Sequence, residues 1–551
     1  MRPRTGIAAA IAVLGAAGAI TAATMPAVAS TAHPANHNRS VIVPGNLLVS
    51  ESYFVNNPGL VAASTAADGS KNQGTILPPG SGSAGAQAIA SGNYPFVFNN
   101  DSVDGSFGVT SPLFLKEITT RGKAVATIPV PQTYLTTSFS SKSEGALNLS
   151  TNGKYVTFID YSAAINSIDA SNANTPGVVD PTNPVPGVFY RTVAQLNQQG
   201  KFSFTATNAY SGNNGRAAIA GFVKGKEFYY TAGNAGNGSN PQPKGVVLGA
   251  GAQIVTPSTQ NYYDQAPGQP TPVGSFSVTL LGHQPDKIGK DDNYRGLTIF
   301  NNVLYYSKGS GGNGVDTVYF LDTTGKACPN GVGLPAPGAT LPTTSIESTF
   351  NPTTGLASNM CILKGFPTAL ASSATDASDY PFGLWFASPT VLYVADEGAG
   401  DNTYDAATNT YTAAAASTTA GLQKWVFNKK AGQWQLAYTL QNGLQLGTPY
   451  TVPRYPTGIN SVTGLPWAPS TDGLRNITGR VNRNGSVTIW AVTSTVSGGG
   501  DQGADPNQLV SITDNLRATS LPKRESFNTV IAPAYKVVVR GVSFTPGTSA
   551  K

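Results

Sequence analysis

Histidine, methionine and cysteine are nearly missing: the 551 residues hold three His, three Met and two Cys. So small a supply excludes a Cys/His zinc cluster, haem ligation or an iron–sulfur site. Charge is scarce as well, 11% of residues against about 25% in an average soluble domain. No Lys/Arg run or basic helix occurs and the formal charge of +6 is mild, so binding to nucleic acid or to a membrane surface lacks electrostatic support. Sustained helical periodicity is lacking too, because 62 Gly and 39 Pro punctuate the chain about once in five residues. What is present is apolar: hydrophobic residues reach 40%, enough for a large packed core, and the Tyr-, Thr- and Val-rich runs between turn residues read as strands.

Arg2 and Arg4 precede an apolar run from Gly6 to about Ala23, and Ala27-Val28-Ala29 supplies a small-x-small cleavage pattern. The reading is a signal peptide over 1–29, with an uncleaved anchor as the alternative. Export implies a secreted protein with no membrane span after cleavage. It also makes a disulfide between Cys328 and Cys361 chemically reasonable, two buried thiols being the alternative.

One unit recurs along the chain: a short segment with Gly near its start, a tight turn, then an aromatic strand. The first members are Glu144-Gly145, Arg216-Ala217, Arg295-Gly296, Phe382-Gly383, Thr478-Gly479 and Arg540-Gly541. Their partners are Tyr155 to Asp160, Glu227 to Ala232, Val303 to Lys308, Val391 to Asp396 and Val487 to Val492; the sixth copy ends the chain, and Asn46 to Glu51 supplies its missing partner at the other end. Further strands fit Val188 to Leu196 with Lys201 to Ala206, Gly251 to Thr256 with Gly274 to Leu280, Val315 to Asp322 with Cys361 to Phe366, Leu422 to Phe427 with Gln433 to Leu440, Gln508 to Thr513 with Phe527 to Ile531, and Leu113 to Thr119 with Ala124 to Val130. This pattern predicts an all-β, six-bladed β-propeller closed by pairing of the N- and C-terminal strands. Seven blades are the main rival, because residues 52 to 112 have room for more strands; a β-sandwich or β-helix is the other. The domain reading is a tail over 30–45 and a single propeller over 46–551. Each blade then spans about 87 residues, about twice a compact blade, and the surplus falls in connections that emerge on one face.

If the first strands line a central channel, Glu144, Arg216, Arg295, Phe382, Thr478 and Arg540 share one level, where guanidinium groups suit a carboxylate, phosphate or sulfate. The alternative is that these arginines pair with Asp291, Asp292, Asp379 and Asp472 in the preceding loops. A second level at the strand ends holds Glu51, Asp160, Ala232, Lys308, Asp396 and Val492, with Asn214 and Asn293 nearby. Glu144, Asp160 and Asp396, and separately the run Asp396, Glu397, Asp401 and Asp405, offer oxygen ligands to Ca²⁺ or another divalent cation. His33 and His37 fall in the tail, which leaves His283 as the one histidine available as a general base. No organic cofactor is evident. The Gly/Asn-rich loops after Ala232, Lys308, Asp396 and Ser497 read either as tight turns or as ligand cradles. The tryptophans read as blade filling.

Pro381 to Gly398 (PFGLWFASPTVLYVADEG), with Ser143-Glu144-Gly145, resembles blade signatures of six-bladed propellers of the senescence-marker/gluconolactonase and NHL-repeat type. The chain as a whole is similar to secreted propeller proteins of bacteria. The resemblance to the lactonase group implies a catalytic divalent cation on Glu144 and Asp396, with Phe382 standing where that group has Asn. Three functions follow as expectations. The first is a secreted propeller binding a small anionic molecule or carbohydrate at the loop-rich face, using Arg216, Arg295, Arg540, Lys308, Asn214 and Asn293. The second is a cation-dependent lactonase or esterase, and the third an extracellular interaction platform.

Overall fold

The computed structural model describes residues 41–55, 63–65, 71–73, 94–95, 108–139, 143–179, 183, 185, 187–234, 251–258, 272–283, 292–309, 314–344, 359–371, 378–461, 463–500 and 502–549. The leader, His33, His37, Asp291 and the middles of the loops after Ala232 and Lys308 lie outside the described residues.

The strands assemble into six blade sheets. In each, strand order from first to last is Val537–Phe544, Leu47–Tyr53, Leu113–Ile118, Ala124–Pro129; Asn148–Leu149, Tyr155–Tyr161, Arg191–Asn197, Phe202–Thr207; Gly215–Val223, Lys226–Gly233, Ala252–Val255, Pro272–Gly274; Leu297–Phe300, Val303–Lys308, Thr317–Leu321, Met360–Leu363, Val332–Gly333; Pro381–Ser388, Val391–Asp396, Gly421–Asn428, Gln433–Leu440; and Ser470–Val481, Ser486–Val496, Leu509–Asn515, Asn528–Ile531. Each first strand touches the first strands of the two neighbouring blades, and Asn148–Leu149 touches Val537–Phe544, so the six sheets close into a ring. Closure uses both chain ends: Leu47 pairs with Phe544 and Tyr53 with Val537. Among the described residues, the span from 52 to 112 adds only short ribbons, Ala63–Thr65 with Lys71–Gln73 and Val109–Ser111 with Thr137–Phe139, so a seventh blade is not formed.

Two details depart from the expected strands. The segment after Gly274 turns into a 3-10 helix at Val278–Leu281, because the Ser277 side chain accepts from Thr279 N and gives the backbone a local partner in place of a ladder. The fourth blade gains a fifth strand, Val332–Gly333, paired in parallel with Met360–Leu363. That strand lies in the loop closed by the Cys328–Cys361 disulfide, whose Cα atoms are 5.9 Å apart.

The recurrent glycines have a common physical cause. A Cβ on Gly296 would lie 2.1 Å from Phe382 O, one on Gly383 2.4 Å from Arg475 O, and one on Gly541 2.6 Å from Gly145 O. Adjacent first strands approach backbone to backbone near the axis, and only a residue without a side chain leaves the space. Second-strand hydroxyls bridge the same gap: Ser307 Oγ donates to Phe382 O and Ser50 Oγ to Gly145 O, at 2.5 and 2.6 Å. Farther out, aromatic rings fill the wedges between blades, with Trp425 on Phe366, Phe300 on Phe386 and Trp490 on Phe544. Blades five and six are also joined by a buried polar knot in which Asp514 accepts from Lys424, Tyr438 and Tyr393.

In the five blades other than the one closed by the chain ends, first and second strands are joined by short hairpins on one face, such as Asn301-Asn302, both at positive φ, as a tight type I′ turn requires. The long connections between second and third strands, and between blades, emerge on the opposite face. No helix among the described residues is long and apolar enough to cross a membrane. The packing at Gly296 leads to a direct expectation. Gly296→Ala should lower stability by roughly 1–3 kcal/mol through overpacking, read as a lower urea midpoint; an unchanged midpoint would mean that the strands can part at no cost.

Candidate functional site

Three of the first-level residues sit at a local irregularity of their strand. Arg216 sits in a register shift between Gly215 and Ala217, Phe382 in one between Pro381 and Leu384, and Arg540 opposite the shift at Ser50/Glu51. Bulges re-aim side chains in this way. In the sixth blade the shift falls between Leu474 and Ile477, so Arg475-Asn476 takes the axial position. This corrects Thr478-Gly479: Thr478 pairs within the sheet with Trp490, and Gly479 is small because the Trp385 ring lies 2.6 Å from where its Cβ would be. Asn476 does the work of glycine by hydrogen bonding, its Oδ1 accepting from Val542 N at 2.7 Å.

Around the axis the structure gathers both signs of charge. Glu144 Oε1 accepts from Tyr161 Oη and from Asn214 Nδ2, and Oε2 from Ser143 N. Arg216 Nη1 donates to Asn293 Oδ1 and to Tyr294 O, and Arg295 Nη1 donates to Ser143 Oγ. Glu397 lies between two arginines, 3.0 Å from Arg475 Nε and 3.9 Å from Arg295 Nε, the second an ion-pair distance too long for a hydrogen bond. Arg540 donates to Ser52 Oγ and Ser138 O. Lys308 makes a buried ion pair with Asp316 at 2.6 Å.

Several of these groups are under electrostatic stress. Burial, then the neighbouring Arg295, pushes the Arg216 guanidinium down to about 9, and burial pushes Arg540 down to about 10. Burial and the adjacent Glu144 hold the Asp160 carboxyl well above the usual range. Neither Asp160 oxygen meets a donor at hydrogen-bond geometry, although the Thr137 hydroxyl lies close enough to oppose the shift. The Nε atoms of Arg216 and Arg295 and the hydroxyls of Thr137 and Ser138 are likewise buried without a hydrogen-bond partner. Such atoms in a native interior mark places that water or a ligand completes.

Of the residues named for a divalent cation, Glu144 and Asp160 lie together, while Asp396, Glu397 and Asp401 are engaged with other partners. Asp396 is fully buried, but its oxygens accept from Tyr380 N, Gly398 N and Gln423 Nε2, and the charges acting on it are Asp379 and Asp472. Asp401 and Asp405 are taken up in exposed turns with Thr403, Ala407 and Thr408. Glu397 serves the arginines, Phe382 offers no donor atom, and Arg540 acts on both Glu144 and Asp160, a poor neighbour for a divalent ion. This donor set does not fit a calcium shell. Among the described residues Asp322, Cys328 and Cys361 do lie together, but both sulfurs are in the disulfide. His283 is exposed just beyond the 3-10 helix, its N–H donating to Val278 O. The preceding-loop acids are also occupied elsewhere: Asp292 accepts from Phe276 N and Tyr294 Oη, Asp379 from Gln423, and Asp472 from Gly400 N.

Arg475, Tyr161 and Asp316 were not legible as site residues. Arg475 lacks the following glycine, Tyr161 falls one residue past the repeated strand, and Asp316 precedes a third strand that carries no axial pattern.

No known family's sequence profile matches the chain, and no curated protein matches it. Solved structures resemble it distantly. They include an ulvan lyase of a polysaccharide lyase family bound to -[GlcA(1-4)Rha3S]- (TM-score 0.31, 10% identity, covering 80% of this chain and 91% of that one). The α-L-arabinofuranosidase from Lactobacillus brevis gives TM-score 0.27 and 11% identity, with 72% and 90% covered. A rhamnogalacturonan lyase from Bacillus licheniformis gives 0.23 and 9%, with 84% and 75% covered. Likeness at this level says nothing about chemistry. The propeller stands on its sheets and their closed ring, and no comparison places it in the lactonase or NHL-repeat groups.

Asp396 gives a pH signature. Burial pushes its carboxyl up to about 7 from an ordinary 3.8 despite its N–H donors. A raised folded-state value means that the native protein binds the proton more tightly than the unfolded chain. Its stabilising contribution is therefore full below about pH 4 and lost as pH rises through about 7. Relative to Asp396→Asn, the wild type should lose unfolding free energy across that window, as followed by urea denaturation; parallel profiles would show that the carboxylate is ionised throughout.

Proposed function

We propose that the protein is an exported β-propeller that binds a small anionic, hydroxyl-rich molecule at the axial cluster on its loop-bearing face. The observation that carries this reading is the pair Arg216 and Arg295, close enough to repel each other, with each Nε buried and in no hydrogen bond, Glu397 standing 3.9 Å from Arg295 Nε, beyond hydrogen-bond reach. Two guanidinium groups in this position repel each other and lose hydration, and an oxyanion between them would supply both missing hydrogen-bond acceptors and add to the countering charge of Glu144 and Glu397. Asp160, Thr137 and Ser138 provide acceptors and hydroxyls for the donor side of the same ligand. Hydrolysis through a cation on Glu144 and Asp396 has less support, because Asp396 is already saturated by N–H donors. The Cys328–Cys361 disulfide is in keeping with export.

An arginine kept for a ligand should be a burden on the free protein. Arg216→Met should weaken binding of glucuronate, measured calorimetrically, by about tenfold or more, while leaving the thermal midpoint unchanged or higher. A large fall in thermal midpoint with binding intact would make Arg216 a structural residue and end the proposal.

A further inference from the structure

Between blades five and six, a buried lysine, a buried aspartate and a second carboxyl meet from three separate segments. Lys424 lies in Gly421–Asn428, the third strand of blade five, and Asp514 in Leu509–Asn515, the third strand of blade six. Both side chains are wholly buried, and Lys424 Nζ stands 2.9 Å from Asp514 Oδ2. Glu525, in the connection between the third and fourth strands of blade six, accepts from Asn515 N at 3.0 Å through Oε1, while its buried Oε2 makes no hydrogen bond. The Glu525 carboxyl is close enough to act on both Asp514 and Lys424.

The hydroxyls around the pair are arranged for proton movement. Lys424 Nζ donates to Tyr438 Oη at 2.8 Å, and Tyr438 Oη donates to Asp514 Oδ1 at 2.7 Å, so one hydroxyl bridges the amine and the carboxyl. Tyr393 Oη donates to the other oxygen, Oδ2. Lys424 Nζ also donates to Asn515 O at 2.7 Å, which holds the amine in place. Burial lowers the affinity of that amine for its proton, with Asp514 and Glu525 opposing. Burial, then the adjacent Asp514, pushes the Glu525 carboxyl up to about 7. In water, hydration keeps an ammonium and a carboxylate apart as ions. In an interior that hydration is lost, and the balance moves towards a neutral amide and a released water.

We propose that Lys424 Nζ and Asp514 Cγ join in an intramolecular isopeptide bond, with Glu525 as the proton carrier. Tyr438 takes a proton from Nζ as it passes its own to Oδ1, which leaves a neutral amine facing a carboxylic acid. The nitrogen lone pair attacks Cγ and the carbonyl electron pair moves onto Oδ2, where the Tyr393 hydroxyl donates to the oxyanion. Glu525 takes the surplus proton from nitrogen and delivers it to Oδ1. The Cγ–Oδ1 bond then breaks, Oδ1 departs as water and the carbonyl re-forms at Oδ2. One ammonium and one carboxylate become one amide and one water, with Tyr438 and Glu525 restored and no oxidant or co-reactant used. The other buried pair, Lys308 with Asp316 at 2.6 Å, lacks this surrounding: among the described residues no hydroxyl donates to Asp316, whose Oδ2 makes no hydrogen bond. It should remain an ion pair.

Mass spectrometry tests the bond. The purified protein, its disulfide reduced, should be lighter by one water, about 18 Da, than the sequence beginning at its own first residue. Trypsin should leave Lys424 uncut, within a branched peptide that carries Asp514, and should release Lys308 in a linear one. Glu525→Gln, which keeps the side chain's size and can still accept from Asn515 N, should be folded by circular dichroism yet stand at its full sequence mass. A wild-type protein at full sequence mass, a linear peptide ending at Lys424, or a water loss that fragmentation places within a single linear peptide would overturn the proposal. So would Glu525→Gln protein that carries the bond in full. The wild-type peptide decides the matter by itself if that variant does not fold.

Discussion

Everything in this molecule depends on a single antiparallel pairing, Val537–Phe544 against Leu47–Tyr53. It joins residues nearly a whole chain apart and removes the one sheet edge that would stay open in a ring. Its register also sets chemistry. The shift at Ser50/Glu51 turns Arg540 to the axis, where Gly145 lets it approach because a Cβ there would lie 3.0 Å from Arg540 Cβ. Without that pairing the axial level does not exist, and neither half of the proposed ligand seat has a counterpart.

The axial cluster is a compromise between folding and binding. Lys308 with Asp316 and Arg475 with Glu397 are matched pairs, and such pairs in an interior roughly offset their own desolvation. Arg216 and Asp160 are different. Burial opposes the charged form of each, and each is left with atoms that find no partner. A fold under selection for stability alone has no use for such groups, whereas a site that must strip water from an incoming ligand does.

The loop-bearing face shows the same division of labour. Glycine and asparagine loops that read equally well as cradles are, where described, largely self-satisfied turns: Gly400 N donates to Asp472, Gln502 to Gly400 O, and Asn460 to Gly498 O. The aromatic row from Phe139 to Tyr535 is packed core beneath these loops, assembled from connections far apart in sequence.

The blade count, the closure by both chain ends, most strand positions and the axial Arg216, Arg295 and Arg540 were legible because they repeat: alternation of side chains and the glycine forced by close backbone approach leave a periodic trace. Arg475 escaped because Asn476 meets the same steric demand by hydrogen bonding, and Thr478-Gly479 misled because its glycine makes room for Trp385 instead. Composition and periodicity by themselves determined an all-β chain of repeated strand units and favoured six blades, since local strand propensity and spacing suffice for that; the sheets excluded seven. Which carboxylates are free for chemistry was decided only by the tertiary structure. A side chain's availability depends on the donors that distant segments bring to it, and Asp396, saturated by neighbouring N–H groups, and Asp160, whose oxygens meet no donor at hydrogen-bond geometry, look alike in sequence.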